Sequence, residues 1–229
     1  MLAADEWQIV ALSLKVSAVA VGLTLPLAFA LAWVLARSRT PGKVLLDALV
    51  HLPLVVPPVV TGWLLLLAFG ANGPIGGWLE RALGVTVMFR WTGAALAAAV
   101  MALPLMVRAI RLSLEAVDPR LEAAARTLGA GPWRAFATIT LPLALPGVLA
   151  GAVLGFARSL GEFGATITFV SNIPGETQTL PLAIYAALQV PGGESVVTRL
   201  AAISVLLSLV ALVASEVLAR RAGRGAHVL

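Results

Sequence analysis

The segment LEAVDPRLEAAARTLGAGPWRAFATITLPLALPG, residues 114–147, is the most informative part of this chain of 229 residues. Asp118 can cap a helix that has Pro119 as its first residue, a combination typical of helix N-termini. A narrow apolar stripe on this helix consists of Leu121, Ala124, Ala125 and Leu128. A glycine, Gly129 or Gly131, is then expected to end the helix.

A second short helix is predicted to start at Pro132 and Trp133, and Pro142 and Pro146 mark the start of the apolar run that follows. The two helices, within residues 118–141, would be amphipathic and joined at a glycine. They would present a surface that a soluble partner could bind. An ordinary connection at a membrane interface is the alternative that these residues leave open.

The composition around this segment is that of a membrane protein. Hydrophobic residues make up 60% of the chain and charged residues 12%, with a mean hydropathy of +0.98. A soluble domain of this size would still expose about a quarter to a third of its unfolded surface, too much for such an apolar chain. Cysteine is absent, which excludes disulfides and cysteine metal sites.

Apolar runs predict an all-α, polytopic membrane protein with about five transmembrane helices. A bilayer core about 30 Å thick needs roughly 20 apolar residues to cross it as a helix. The predicted spans are residues 12–35, 45–69, 92–114, 145–170 and 200–218. No internal repeat or linker divides the sequence, so we treat residues 1–229 as a single transmembrane domain.

Basic residues are concentrated on one side of these spans. They lie in the last part of the third span or follow the first, third and fifth spans, and comprise Arg37, Arg39, Lys43, Arg108, Arg111, Arg120, Arg126, Arg134, Arg220, Arg221 and Arg224. The positive-inside rule makes these segments cytoplasmic, with the N-terminus outside and the C-terminus inside. The net charge of +5 is thus mostly a topological signal, and nucleic acid is not a predicted partner.

Two outer connections are longer than turns. Residues 70–90 are rich in glycine and end in Arg90 and Trp91, a pair typical of the membrane interface. Residues 173–197 contain a short apolar run, Leu180 to Leu188. That run is too short to span a bilayer and predicts a re-entrant or interfacial helix.

Motifs of ATP hydrolysis and of common hydrolases are absent from the sequence. It contains no G-x-x-x-x-G-K-[ST], H-E-x-x-H or G-x-S-x-G pattern, so ATP hydrolysis by this chain is not expected. An intramembrane enzyme could use Asp47 with His51, or Arg158 with Glu162, as acid-base groups. Each pair is spaced i, i+4, which equally suits a structural hydrogen bond or ion pair.

Proline and charge at membrane depth indicate a translocation pathway. Pro57 and Pro58, followed by Thr61, interrupt the second span and free carbonyls that protein or a water-filled cavity must satisfy. Arg158, near the middle of the fourth span, costs at least roughly 2.5–3.5 kcal/mol there unless it is paired or hydrated. Glu162, Ser159 and Thr166 complete the predicted set. A packed proline kink and a neutralising Arg158–Glu162 pair are the structural alternatives.

Within the cytoplasmic segment, the spacing of residues resembles the EAA signature of ABC importer permeases. The matching residues are Ala123, Ala124, Ala125, then Gly129 after three residues, then Ile139, Thr140, Leu141 and Pro142 after nine. Ala123 stands where the signature has glutamate, and Glu122 lies just before it. The resemblance implies a coupling element that docks in a cleft of a separate ATPase through Glu122, Ala123, Ala124, Ala125, Gly129, Ile139, Leu141 and Pro142.

Over most of its length the chain resembles the molybdate importer permeases and, less closely, those for sulfate and thiosulfate. The similarity is strongest in residues 51–62, 157–169 and 172–185. It implies the type I ABC importer permease fold, a homodimer in the cell inner membrane, two ATPase subunits that hold ATP and magnesium, and a periplasmic molybdate-binding protein. No cofactor or metal is implied for this chain. Sulfate, thiosulfate or tungstate as substrate stays open.

Overall fold

The computed structural model describes residues 4–37 and 41–226, so Arg39 and both chain ends lie outside the described residues. The described residues are mainly helical and contain no β-strand. The elements are α1 Ala4–Arg37, α2 Lys43–Val55, α3 Pro58–Phe69, α4 Gly76–Leu83, α5 Trp91–Ala116, α6 Pro119–Thr127, α7 Pro132–Ala135, a π-helical turn Phe136–Thr140, α8 Leu141–Leu160, α9 Gly164–Val170, α10 Leu180–Leu188 and α11 Glu194–Ala226.

Four helical stretches are long and apolar enough to cross a membrane: Asp5–Arg37, Trp91–Ala116, Pro132–Leu160 and Glu194–Ala214. The pair α2 and α3 is a fifth candidate, bent by 113° at the break between the two helices. The prediction of an all-α membrane protein with about five spans is confirmed for the described residues.

The second predicted span, residues 45–69, is two helices instead of one. α2 ends at Val55 and α3 begins at Pro58, with Val56 and Pro57 extended at ψ values of 135° and 136°. Proline has no backbone N–H, and it also disfavours the helical conformation in the residue before it. The Pro57-Pro58 pair therefore breaks the span and does not merely kink it.

The fourth predicted span, residues 145–170, is also wrong as a single helix. α8 ends at Leu160, and α9 starts separately at Gly164. The other end differs as well, because α7, the π-helical turn and α8 form one stretch, Pro132–Leu160. The helix predicted to start at Pro132 is therefore the beginning of a longer helical stretch, and Pro142 and Pro146 lie inside this stretch.

Helix α5 lies at the centre of the molecule, between α1 and α8. α8 approaches it through Gly147, Gly151 and Gly155, which face Ser113, Ile110 and Met106 of α5. A Cβ atom on Gly155 would lie 2.6 Å from the sulfur of Met106, so no larger residue fits without movement. Small residues at a spacing of four are a common means of close helix packing in membranes.

The short helix α10 is fixed to the first half of α1. It has the bounds predicted for the apolar run, Leu180–Leu188, and at about 1.5 Å per residue it is too short to span a bilayer. The backbone N–H of Leu180 donates to Ser13 Oγ at 2.8 Å, and that hydroxyl donates to the carbonyl of Ile9 at 2.8 Å. Within α10, the side chains of Leu180 and Leu182 are buried.

Large apolar side chains remain exposed on α2, α3 and α11. Examples are Val44, Val55, Trp63, Leu206 and Val213. In a membrane protein such faces suit lipid or a second subunit, whereas a soluble monomer rarely exposes so much contiguous apolar surface.

Candidate functional site

Both ends of α6, the first helix of the predicted coupling element, follow the sequence prediction. Asp118 Oδ1 accepts a hydrogen bond from the N–H of Arg120 at 2.9 Å. At the other end Gly129 has a φ of +89°, and the N–H of Ala130 donates to the carbonyl of Ala125 at 3.0 Å. This is the Schellman arrangement, in which a left-handed glycine ends the helix. Of the two candidate glycines, Gly129 therefore has this role.

α6 presents apolar side chains away from the rest of the chain. None of its residues is buried, Leu128 is 89% exposed, and Trp133 in α7 is 82% exposed. Ala123 and Ala124 are exposed and Ala125 is half-buried. An exposed apolar surface of this kind is typical of a docking site for another protein.

Glu122 connects α6 to two membrane helices. Its Oε1 accepts a hydrogen bond from Arg37 Nη2 at 3.1 Å and another from the hydroxyl of Thr140. Arg37 is the last residue of α1, and Thr140 ends the π-helical turn before α8. Glu122 lies one position before the glutamate position of the EAA signature, which is Ala123 here. Its carboxylate forms hydrogen bonds with residues of the same chain. Sequence reasoning did not predict either partner.

The last residues of the coupling element, Ile139, Leu141 and Pro142, lie where the chain passes into α8. The N–H of Leu141 donates to the carbonyl of Phe136, five residues earlier, which makes this a π-helical turn. Pro142 has no N–H to continue an α-helical ladder, so the irregular turn precedes a residue that would interrupt the ladder anyway. Ile139 is half-buried, and Leu141 and Pro142 are exposed.

Aromatic rings pack α1 against the same turn. The rings of Trp33 and Phe136 meet edge to face, with centroids 4.9 Å apart and an interplanar angle of 85°. The guanidinium carbon of Arg37 lies 5.5 Å from the Trp33 ring centroid, within the range of a cation–π contact. Arg37 thus contacts both Trp33 and Glu122.

The two helix breaks of the predicted pathway lie directly against each other. A Cβ on Gly164 would lie 2.7 Å from the Cβ of Pro58, and one on Gly62 would lie 2.5 Å from the carbonyl oxygen of Ala165. The start of α3 and the start of α9 therefore pack closely through Gly62 and Gly164. Pro57, Pro58 and Thr61 come from one break, and the segment from Arg158 to Thr166 contains the other.

Arg158 and Glu162 form an ion pair across the second break. Arg158 Nη2 is 2.7 Å from Glu162 Oε2, and Glu162 Oε1 accepts a hydrogen bond from the N–H of Ala165 at 2.8 Å. The predicted position of Arg158 near the middle of a span is wrong, because it lies in the last turn of α8. The pair does not share one helix either, since α8 ends at Leu160. Glu162 instead connects the end of α8 to the start of α9.

The other predicted pathway residues differ in exposure. Ser159, Thr61 and Thr166 are buried, and Ser159 Oγ has no hydrogen-bond partner among the residues that the structure describes. Pro57 and Pro58 are exposed, and 26% of the Arg158 side chain is exposed. Within one protomer, Arg158 is the charged side chain of this set that could reach an anion.

The second candidate acid-base pair belongs to a separate ionic cluster. His51 Nδ1 lies 3.3 Å from Asp47 Oδ1 and 2.9 Å from the Asp47 carbonyl. Arg111 Nη1 lies 3.1 Å from the same Asp47 oxygen, and its Nε lies 2.8 Å from Glu115 Oε1. Asp47 is thus ion-paired to α5, a contact that sequence reasoning missed.

Comparison with known proteins adds relatives of stated function. The chain matches the family described as "binding-protein-dependent transport system inner membrane component" over residues 24–224. It is 61% identical to the molybdenum transport system permease protein ModB of Escherichia coli K12, over 98% of this chain and 100% of that protein. It is 41% identical to the sulfate transport system permease protein CysT of the same organism, over 77% of this chain and 65% of that protein.

A solved structure has the same fold. It is a bacterial alginate ABC transporter in complex with a periplasmic protein bound to an alginate pentasaccharide, and it matches with a TM-score of 0.75 at 18% identity. The match covers 96% of this chain and 80% of that chain. The fold of the described residues is therefore that of an ABC importer permease. With the family match over most of its length, the chain belongs to the inner membrane components of binding-protein-dependent transport systems.

Proposed function

We propose that this protein is the permease subunit of an ATP-driven molybdate importer in the cell inner membrane. The exposed apolar surface of α6 and α7, with Leu128 and Trp133 pointing away from the protomer, is the observation that carries the transport role. Such a surface suits a cleft in a separate ATPase, which would bind ATP and magnesium. The identity to the molybdenum permease over almost the whole chain supports molybdate as the substrate.

The working assembly in this proposal contains two copies of the chain, two ATPase subunits and a periplasmic molybdate-binding protein. The exposed apolar faces of α2, α3 and α11 support contact with lipid and with the second copy. The outer segments, residues 71–90 and 173–197, would receive the anion from the binding protein. The N-terminus is proposed to lie outside and the C-terminus in the cytoplasm.

The proposed pathway runs between the two copies, past the junction of the two helix breaks. Arg158 is placed to attract a divalent oxyanion, and its pairing with Glu162 keeps that attraction from becoming tight binding. Closure of the ATPases would draw the two α6 helices together and change which side of the membrane the pathway opens to. Broken helices line the substrate pathway in many transporters. The breaks at Pro57 and Glu162 would likewise line the pathway here, and their non-helical backbone would allow the helices to bend.

Uptake by the complete transporter tests this function. Reconstituted vesicles that contain the permease and the ATPase, with ATP enclosed and the binding protein added outside, should accumulate labelled molybdate only when ATP is present. A large excess of sulfate should leave this uptake nearly unchanged. Tungstate is expected to compete. Uptake of labelled sulfate with similar efficiency would instead identify a sulfate permease.

Sulfate or thiosulfate import is the second candidate, and the 41% identity to a sulfate permease supports it. The 61% identity to a molybdenum permease, over a larger part of both chains, favours molybdate. An intramembrane enzyme is less well supported, because Asp47 and Glu162 are already engaged by Arg111 and Arg158.

A further inference from the structure

We infer that Glu122 is a positioning residue that connects the coupling helix to both α1 and α8, so that the three elements move together. This inference rests on the proposed function, because it concerns how a movement of α6 reaches the membrane helices. It assigns the role to one carboxylate oxygen and its two donors, Arg37 and Thr140.

Among the described residues, few other contacts join α6 to α1. α6 has no buried residue, and the apolar side chain of Leu128, which follows its last residue, is exposed. The elements it packs against are its own chain neighbours, α7 and the π-helical turn. Glu122 is the side chain of α6 that reaches α1, through Arg37. A displacement of α6 would therefore be transmitted to the end of α1 through the ion pair between Glu122 and Arg37.

The contacts around Glu122 form a closed ring. From Glu122 the ring passes to Arg37, then to Trp33 by the cation–π contact, and then to Phe136 by the edge-on ring contact. Phe136 and Thr140 are the two ends of the π-helical turn, and Thr140 bonds back to Glu122. A movement of α6 alone would break a charge-assisted hydrogen bond. A movement of all members of the ring together would keep the contacts within the ring.

Burial makes these bonds costly to lose. Thr140 is fully buried, and about a quarter of the Arg37 and Glu122 side chains is exposed. Removing the carboxylate would leave the Thr140 hydroxyl without its acceptor in a buried position. A buried donor that loses its partner destabilises the arrangement more than a surface hydrogen bond would.

Thr140→Val is the sharpest test, because it removes the hydroxyl and keeps the side-chain shape. Thr138→Val is its matched control, since the Thr138 hydroxyl donates at 2.6 Å to the carbonyl of Arg134 in its own helix. Glu122→Ala and Glu122→Gln complete the set. Membrane abundance, co-purification of the ATPase, ATP hydrolysis and molybdate uptake are measured for each variant in vesicles.

For Thr140→Val, which lies outside the residues assigned to docking, the expected result is normal ATPase binding with less uptake per ATP hydrolysed. Thr140→Val should lower that ratio about tenfold, the size that corresponds to one lost hydrogen bond to a charged group. Glu122→Ala should lower it at least as much, because it also removes the bond to Arg37. Glu122→Gln, which keeps an acceptor oxygen, should lose less, and Thr138→Val should lose nothing. The double variant Glu122→Ala/Thr140→Val should be no worse than Glu122→Ala alone, because both remove the same contact.

Unchanged uptake per ATP in Thr140→Val and Glu122→Ala would overturn the inference. Loss of ATPase binding by Glu122→Ala would also overturn it, since Glu122 would then belong to the docking surface, and the proposed function would stand. If Glu122→Ala does not reach the membrane, Thr140→Val decides. Failure of the unchanged protein to bind any ATPase would instead reject the proposed function.

Discussion

Glu162 is more deeply buried than the arginine with which it pairs. Its side chain is 2% exposed, whereas that of Arg158 is 26% exposed. Glu162 keeps the Ala165 N–H as a second partner, but one backbone donor does not neutralise a carboxylate. Of the two possible unpaired charges, the acid is therefore the more costly.

Arg158→Gln should consequently destabilise the protein more than Glu162→Gln. Breaking a fully buried ion pair costs roughly 3–5 kcal/mol, and the cost here should be smaller because part of Arg158 reaches solvent. The double variant Arg158→Gln/Glu162→Gln removes both charges and should recover most of the thermal stability. The order of stability of the three variants would be measured by the midpoint of thermal unfolding in detergent and by the amount of each variant in the membrane.

Uptake by the double variant separates a structural pair from an anion site. If Arg158 serves the oxyanion, the stable double variant should still transport molybdate poorly. Full transport by the double variant, together with impaired single variants, would mean that the pair only stabilises the break between α8 and α9.

Single residues were predictable where their partners are near in sequence. Asp118 and Gly129 delimit α6 by rules that involve only a few neighbours, and the Arg158–Glu162 pair follows from a spacing of four. The bond from Glu122 to Arg37 crosses 85 positions and that from Asp47 to Arg111 crosses 64. Such contacts depend on how helices pack, which one sequence does not show.

At the scale of elements, the glycine that ends α6 can be tested directly by substitution. Gly129 has a φ of +89° and Gly131 a φ of −66°, and a Cβ at either position would meet nothing within 4 Å. Gly129→Val should therefore strain the backbone by roughly 1–2 kcal/mol, whereas Gly131→Val should not. We expect Gly129→Val to insert normally but to bind the ATPase several-fold more weakly, as measured by co-purification.

Equal ATPase binding by the two valine variants and the unchanged protein would contradict this expectation. It would show that the end of α6 does not need its left-handed geometry for docking. Equal weakening by both variants would point to a steric effect on the ATPase in place of backbone strain.

The helices themselves were predictable to different degrees. The apolar runs place α1, α5 and α11 correctly, because hydropathy detects long uniform segments. It did not reveal the ends of α8 and α9, since a window of about 20 residues stays apolar on average across Arg158 and Glu162. The prolines at 57 and 58 were a visible signal for the first break, yet the bend of 113° depends on the packing of α3 against α9.

Orientation of the whole molecule is tested by reporter fusions. A reporter that is active only in the cytoplasm should be active when fused after Leu229 and inactive when fused within Gly73 to Gly77, because basic residues concentrate on the opposite side. Activities are compared at equal amounts of fusion protein. The reverse pattern would reject both the orientation and the cytoplasmic position of α6.

The glycine face of α8 has a mechanical consequence for the whole molecule. Met106 and Ser113 occupy the space that side chains at Gly155 and Gly147 would need, so α5 and α8 are in close contact along this face. We expect these two helices to move together with α1, which packs against both. The smallest independently moving part of such a transporter is a group of helices, and its hinges have to lie outside that group.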